Sequence, residues 1–236
     1  MRLPIDTGSI PVILIIRYVY LIGSYFGIAL GLSLIVAGQQ LGTDSWSVLH
    51  VGMTHHLPIS YGEASQVAGL IIILVSWLLG SRPQLATFLN MWLVGEFWDW
   101  INLWLGTWLV PATWIGQLLC ILIGYLILGF AVSWCISANL GAGPRDQLMV
   151  VLVKRTGVRV STVRFAMEAG AALAGALLGG PLGLGTVIGV LFLGPVTENC
   201  LSLFRRLGRF GFLSQIIQIP INERGTRHPR QRPASV

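Results

Sequence analysis

Leu41-Gly-Thr-Asp-Ser-Trp-Ser-Val-Leu49 and Leu140-Gly-Ala-Gly-Pro-Arg-Asp-Gln-Leu148 stand 99 positions apart, and reading them together decides the fold. The same offset carries Leu78-Leu79-Gly80 onto Leu177-Leu178-Gly179, Thr87 onto Thr186 and Gly95 onto Gly194. It also sets acidic Asp99 against acidic Glu198. The register holds without a gap through loops as well as apolar stretches, which is the mark of an internal repeat.

The chain around this repeat is too apolar for a soluble surface. Hydrophobic residues make up 54% and charged residues 10%, and the apolar runs reach the ~20 residues that a helix needs to cross a bilayer. Six such runs are read: Tyr18–Gly38, Tyr61–Gly80, Leu85–Leu105, Trp114–Ala138, Ser161–Leu178 and Leu184–Phe204. The period-2 alternation of an outer-membrane barrel is absent, so helices must satisfy the backbone in lipid. The first run directly follows Arg17, is long for a signal core and has no small-x-small cleavage site, so it is expected to stay in the mature protein. Cys120, Cys135 and Cys200 are scattered within spans and form neither a disulfide framework nor a metal spacing.

Every Lys and Arg falls on one side of this six-span map, if the N-terminus is cytoplasmic. Basic bias sets orientation, so residues 1–17 are expected to be a cytoplasmic segment and 205–236 a basic cytoplasmic tail. Repeats of three spans occupy 18–105 and 106–204. Localisation in a bacterial cytoplasmic (inner) membrane, with both termini inside, follows. The net charge of +6 is thus a topology signal and an attraction to anionic lipid. No soluble domain is present to carry a nucleic-acid face. Trp98, Trp100, Trp104, Trp108 and Trp114 bracket the loop after the third span and read as an outer aromatic belt.

Three spans per repeat is an odd number, so the second copy enters from the opposite side. The expected fold is all-α, six transmembrane helices as two inverted three-helix repeats, each with a short extra helix. The second short segment, Gly141–Gly157, has Pro144 for the first helical position, Asp146 for the positive end, Lys154 and Arg155 for the negative end and Gly157 as cap. The first runs from Asp44 or Ser45 as N-cap to a stop at Pro58. Such paired segments are either re-entrant half-helices at a binding region or amphipathic helices on the two membrane faces.

These residues carry a resemblance. Leu140–Leu148, Gly183-Leu-Gly-Thr186 and Gly194-Pro195, with Leu41-Gly42 and Trp46-Ser-Val-Leu-His50 in the first repeat, resemble the YczE/YitT group of bacterial multi-spanning membrane proteins, and the YczE branch more closely. The resemblance runs from about Arg17 to about Phe204. It implies a polytopic inner-membrane protein and supplies no substrate, cofactor or catalytic residue.

Acidic and basic groups at membrane depth are functional candidates. Arg145 and Asp146 stand at the start of a short helix, where a guanidinium and free N–H groups suit a carboxylate or phosphate. Glu96 shares a helix face with Trp92 and Trp100 and suits proton coupling if buried. Asp99, Glu198 and Asp44 are secondary candidates; Asp99 and Glu198 also read as interfacial carboxylates. Glu168, four residues after Arg164, reads as half of an intrahelical ion pair. His55 and His56 are adjacent and diverge on a helix. No metal site, cofactor site or nucleophile–base motif is read, and no enzyme activity is expected. Glycine strips at Gly23, Gly27 and Gly31, and at Gly183, Gly185 and Gly189, are expected to admit close helix packing. The expected function is a small-molecule transporter or exporter, with an anionic or amphipathic substrate. The alternative is a membrane accessory or scaffold protein for a partner enzyme. Self-association or a membrane partner fits either.

Overall fold

The computed structural model describes residues 10–106, 108, 111–141, 143–208 and 217. The basic tail beyond Gly208 and the first nine residues lie outside the described residues, apart from Ile217. The described residues form eight α-helices and one 3-10 turn, with no strand. The helices are α1 (Ile10–Ala37), α2 (Ser45–Thr54), α3 (Tyr61–Leu78), α4 (Leu85–Leu105), α5 (Trp114–Ala138), α6 (Pro144–Thr156), α7 (Val160–Leu177) and α8 (Leu184–Leu207). Val12–Ala37, Tyr61–Leu78, Trp114–Ala138 and Leu184–Leu207 are long and apolar enough to cross a membrane. The helices at the other two expected spans, α4 and α7, are of similar length, but Glu96 and Asp99 in one and Arg164 and Glu168 in the other dilute their apolar character.

Local chemistry explains most helix ends. Asp44 caps α2 by accepting from the Ser47 N–H, and Ser60 with Glu63 closes a capping box on α3. Pro144 opens α6, and Gly157 ends it at φ 68°. First-turn donors that would otherwise be orphaned in an apolar surround are thereby satisfied.

The centre of the molecule is the antiparallel pair α1–α5. Gly27 faces Ala131, and Gly31 faces Leu128 and the Gly124 carbonyl, so a β-carbon at either glycine would collide. The first glycine strip is therefore an interhelix seam, which allows the many close dispersion contacts that hold helices together in lipid. Against this pair α4 packs on α1 and α8 on α5. Tyr25 Oη on α1 donates to the Ala86 carbonyl on α4 at 2.9 Å, and Tyr125 Oη on α5 donates to the Gly185 carbonyl on α8 at 2.9 Å. Both hydroxyls are buried, so Tyr125→Phe should destabilise the protein by about 1 kcal/mol through the lost hydrogen bond. A melting temperature in detergent equal to that of the parent would disprove the anchor.

Each short helix is tied to the other half of the chain. The α2 approach is held at the α7–α8 turn, where Thr43 N donates to Pro181 O at 3.0 Å and Thr186 Oγ1 donates to Thr43 O at 2.6 Å. At the α3–α4 turn, Gln147 Nε2 of α6 donates to Ser81 Oγ at 3.1 Å and Arg155 Nε donates to Leu79 O at 2.9 Å. Accordingly α2 lies along α7, and α6 along α3.

The outside of the bundle is apolar, with Trp77, Leu103, Phe165, Leu177 and Leu191 among its exposed side chains. One aromatic expectation fails. Trp98 is fully buried, between His50 at 5.8 Å and Tyr61 at 6.0 Å between ring centroids, so it belongs to the core. Trp100, Trp104, Trp108 and Trp114 are exposed. Residue type and depth indicate a belt, but only the helix azimuth separates inside from outside.

Candidate functional site

The N-termini of α2 and α6 meet inside the bundle. The Arg145 guanidinium lies over the Trp46 ring, 4.6 Å from its centroid, and these two positions are 99 apart. Trp46 Nε1 in turn donates to Glu168 Oε1 on α7 at 3.2 Å. A planar cation on an indole face gains about 0.5–2 kcal/mol, with the larger value where water is excluded. Arg145 is thereby held against Trp46 at the cavity wall.

Around this stack the charges are close but open. Asp44, Glu168 and Asp146 act electrostatically on Arg145, and Arg164 and Arg145 act on Asp146. Among the described residues, no direct ion pair joins these carboxylates to either arginine. Asp44 uses Oδ2 on its own helix cap, while its buried Oδ1 has no hydrogen-bond partner. Nor has Nδ1 of His50, one helical turn beyond Trp46 and 1% exposed. Buried polar atoms without partners cost free energy, and both of these residues line the same cavity.

The cluster borders a cavity of about 440 Å³ to which all eight helices contribute. That is within the range of small-molecule sites, which combine apolar walls with a few convergent polar groups. Here Leu32, Ile72, Met91, Leu128 and Leu193 supply apolar wall; Asp44, His50, Arg145, Asp146, Arg164 and Glu168 supply polarity. Asp146 is open to this interior space while being surrounded by protein. Among the described residues, no group of three His, Cys, Asp or Glu is placed to hold a metal ion.

The sequence candidates divide. Arg145, Asp146 and Asp44 line the cavity, whereas Glu96, Asp99 and Glu198 do not. Glu96 is exposed between α3 and α4, accepting from Gln66 Nε2 and Trp92 Nε1 at 3.1 Å each. Asp99 accepts from the Ser60 hydroxyl and from Gly62 N at 2.8 Å, so it ties α4 to the start of α3. Glu198 is exposed. Sequence reasoning missed Trp46 and His50 as site residues, and set Arg164 and Glu168 aside as an intrahelical pair. One signal was available: the 99-residue offset places Trp46 opposite Arg145 in the alignment of the halves.

Over residues 15–201, α1 through most of α8, the sequence matches the family described as a family of unknown function, DUF6198. The chain belongs to that family. As a DUF6198 member it is 32% identical over 184 residues to the "Uncharacterized membrane protein YczE" of Bacillus subtilis (strain 168), covering 77% of this chain and 83% of the relative. An "Uncharacterized protein" of Haemophilus influenzae is 33% identical over 184 residues, covering 78% and 82%. The "Uncharacterized protein YyaS" of Bacillus subtilis is 24% identical over 196 residues, covering 77% and 93%. No solved structure matches the chain significantly. The YczE-like resemblance read from the Gly-Pro-Arg-Asp segment is therefore a family relationship, and this DUF6198 chain is a membrane protein by kinship as well as by its apolar helices.

Proposed function

We propose that this protein is a small-molecule transporter of the bacterial cytoplasmic membrane, with its substrate site where the N-termini of α2 and α6 meet. In this reading the chain crosses six times, as two inverted three-helix repeats, and both termini are cytoplasmic. The one-sided Lys/Arg distribution supports that orientation. The corresponding pairings support the repeat: α1–α4 resembles α5–α8, and α2–α7 resembles α6–α3. Trp46 and Arg145, equivalent under the offset, touch each other as residues near a two-fold axis would. Transporters of inverted-repeat design place substrates near the bilayer midplane, at half-helix termini.

The observation that carries the reading is the cavity at this meeting point, with Asp44 Oδ1 and His50 Nδ1 unsatisfied beside it. A scaffold needs no such interior. The test places single cysteines at Asp146 and Met149 in the cavity, and at Asp99 and Glu198 outside it, in a Cys-free background. Membrane-impermeant thiol reagent is then applied from each side of proteoliposomes. The cavity cysteines should react, from a side that changes with conditions. Protection of both cavity positions, with reaction only at Asp99 and Glu198, would overturn transport in favour of the accessory role.

A further inference from the structure

Two helix pairs that correspond under the 99-residue offset are packed differently. α3 and α4 are joined by six residues and lie face to face. A β-carbon on Gly62 would strike Gly95 O, and one on Gly69 would meet Met91 Cγ at 2.7 Å. α7 and α8 are joined by an equally short turn, yet share almost no common face. α7 follows α2 while α8 follows α5, so the two diverge. Ser161 and Glu168 stand where α3 has Gly62 and Gly69, and both line the cavity. Gly194 corresponds to the tightly packed Gly95, but a β-carbon there would meet nothing within 4 Å.

The gap between α7 and α8 is therefore a side wall of the cavity. Ser161, Arg164 and Phe165 line it from α7, and Val190, Leu193 and Thr197 from α8. Both helices carry exposed apolar side chains, among them Phe165, Val190 and Leu191. The ends of α7 and α8 remote from their turn carry Arg159, Arg205 and Arg206. At the inner end of the gap lie Arg145 with the α6 N-terminus and, acting on it electrostatically, Asp146, Glu168 and Asp44, whose Oδ1 has no partner. This arrangement suits a head group carrying both charges, attached to a chain that stays in lipid.

We infer that the substrate is an amphipath with a zwitterionic head group and an acyl chain, reaching the cavity sideways from the cytoplasmic leaflet between α7 and α8. The phosphate or carboxylate of the head group lies on Arg145 and the α6 N–H groups, and the ammonium lies on Asp44 and Glu168. The chain leaves past Gly194. This inference rests on the transporter reading and names its substrate class.

The test uses the full chain in vesicles of phosphatidylethanolamine and phosphatidylglycerol, doped with phosphatidylethanolamine bearing a photoreactive diazirine in its acyl chain. Cross-links should map to Ser161–Glu168 and Gly189–Thr197 as well as to the outer face of α5 at Leu119 and Leu126. Gly194→Trp, which fills open space, should lower the gap labelling about tenfold and leave α5 labelling unchanged. Gly170→Trp, also in open space but away from the cavity, should change neither. Gap labelling insensitive to Gly194→Trp would overturn lateral access. A phosphatidylglycerol probe, lacking the ammonium, should label the gap more weakly, and equal labelling would overturn the zwitterionic assignment. Displacement of the lipid probe by equimolar glycerophosphoethanolamine would show that the head group binds without a chain, and would overturn the amphipath. A Met149→Cys variant in the same vesicles separates the two readings. If that cysteine reacts with impermeant thiol reagent but no gap cross-link forms, transport survives and this inference fails; if neither occurs, both fail.

Discussion

Arg145→Ala should empty the site while leaving the protein folded in the membrane. The guanidinium stacks on Trp46 rather than closing an ion pair, so its loss removes little that the helices need. Its loss leaves Asp44, Asp146 and Glu168 without a cation that acts on them, and a ligand anion without its partner. Truncating one partner of a buried charged contact typically costs about 2–5 kcal/mol, on the order of 30-fold or more in occupancy. The readout is the rise in melting temperature on adding phosphatidylethanolamine to detergent-solubilised protein, which should vanish, together with the photolabelling between α7 and α8. Arg145→Lys should recover only part of either signal, because an ammonium keeps the charge but loses the planar stack and the fork of donors. Full lipid stabilisation in Arg145→Ala would remove Arg145 from the site and leave the cavity without an anion partner.

Gly185→Val is expected to give the largest loss of stability. A β-carbon at Gly185 would lie against the Gly42 carbonyl oxygen, and Gly42 itself has φ 94° with Gly183 backbone beside it. Here two main-chain segments touch without intervening side chains, locking the approach to α2 onto the start of α8. Neither can move without disturbing the Thr43–Pro181 and Thr186–Thr43 hydrogen bonds. Overpacking at such a contact costs about 1–3 kcal/mol and more where backbone must shift. Gly42→Val adds the strain of a β-branched residue at positive φ. Both variants should lose monodisperse protein in detergent, or melt well below the parent by tryptophan fluorescence. Gly170→Ala, with open space around its β-carbon, should melt as the parent does. Equal melting of Gly185→Val would mean that the α2–α8 junction is looser than its geometry implies.

The two predictions separate what holds the fold from what fills it. Glycines at the α1–α5 seam and at the Gly42–Gly185 junction bring backbones together. The charged groups lie where the backbones part. α3–α4 and α7–α8 show this within one chain: the first pair closes over small residues, whereas the second carries Ser161 and Glu168 in their place and stays apart.

Local signals in the sequence determined the helices and their ends. Asp44, Ser60, Pro144 and Gly157 act within one turn of their own position, and the 99-residue register aligns the halves without tertiary information. The same locality misled at longer range. Glu168 looked paired with Arg164 because neighbours four apart share a helix face, yet it accepts from Trp46, 122 residues away. Glu96 suits proton coupling only if buried, and it is exposed: in lipid an apolar flank does not distinguish core from periphery. Trp98 passed for a belt residue on the same ground and is fully buried. Only the tertiary structure decided which azimuth of each helix faces inward, and so which charges converge. The physical reason is that a bilayer rewards apolar side chains on every face of a helix, which erases the amphipathic periodicity that would otherwise mark the inner one. Arg145 and Asp146 could be found because helix-terminus chemistry is written locally. Trp46 was reachable only through the 99-residue offset, and His50 and Glu168 not at all, because packing α2 against α7 is what brings Trp46 and Glu168 together.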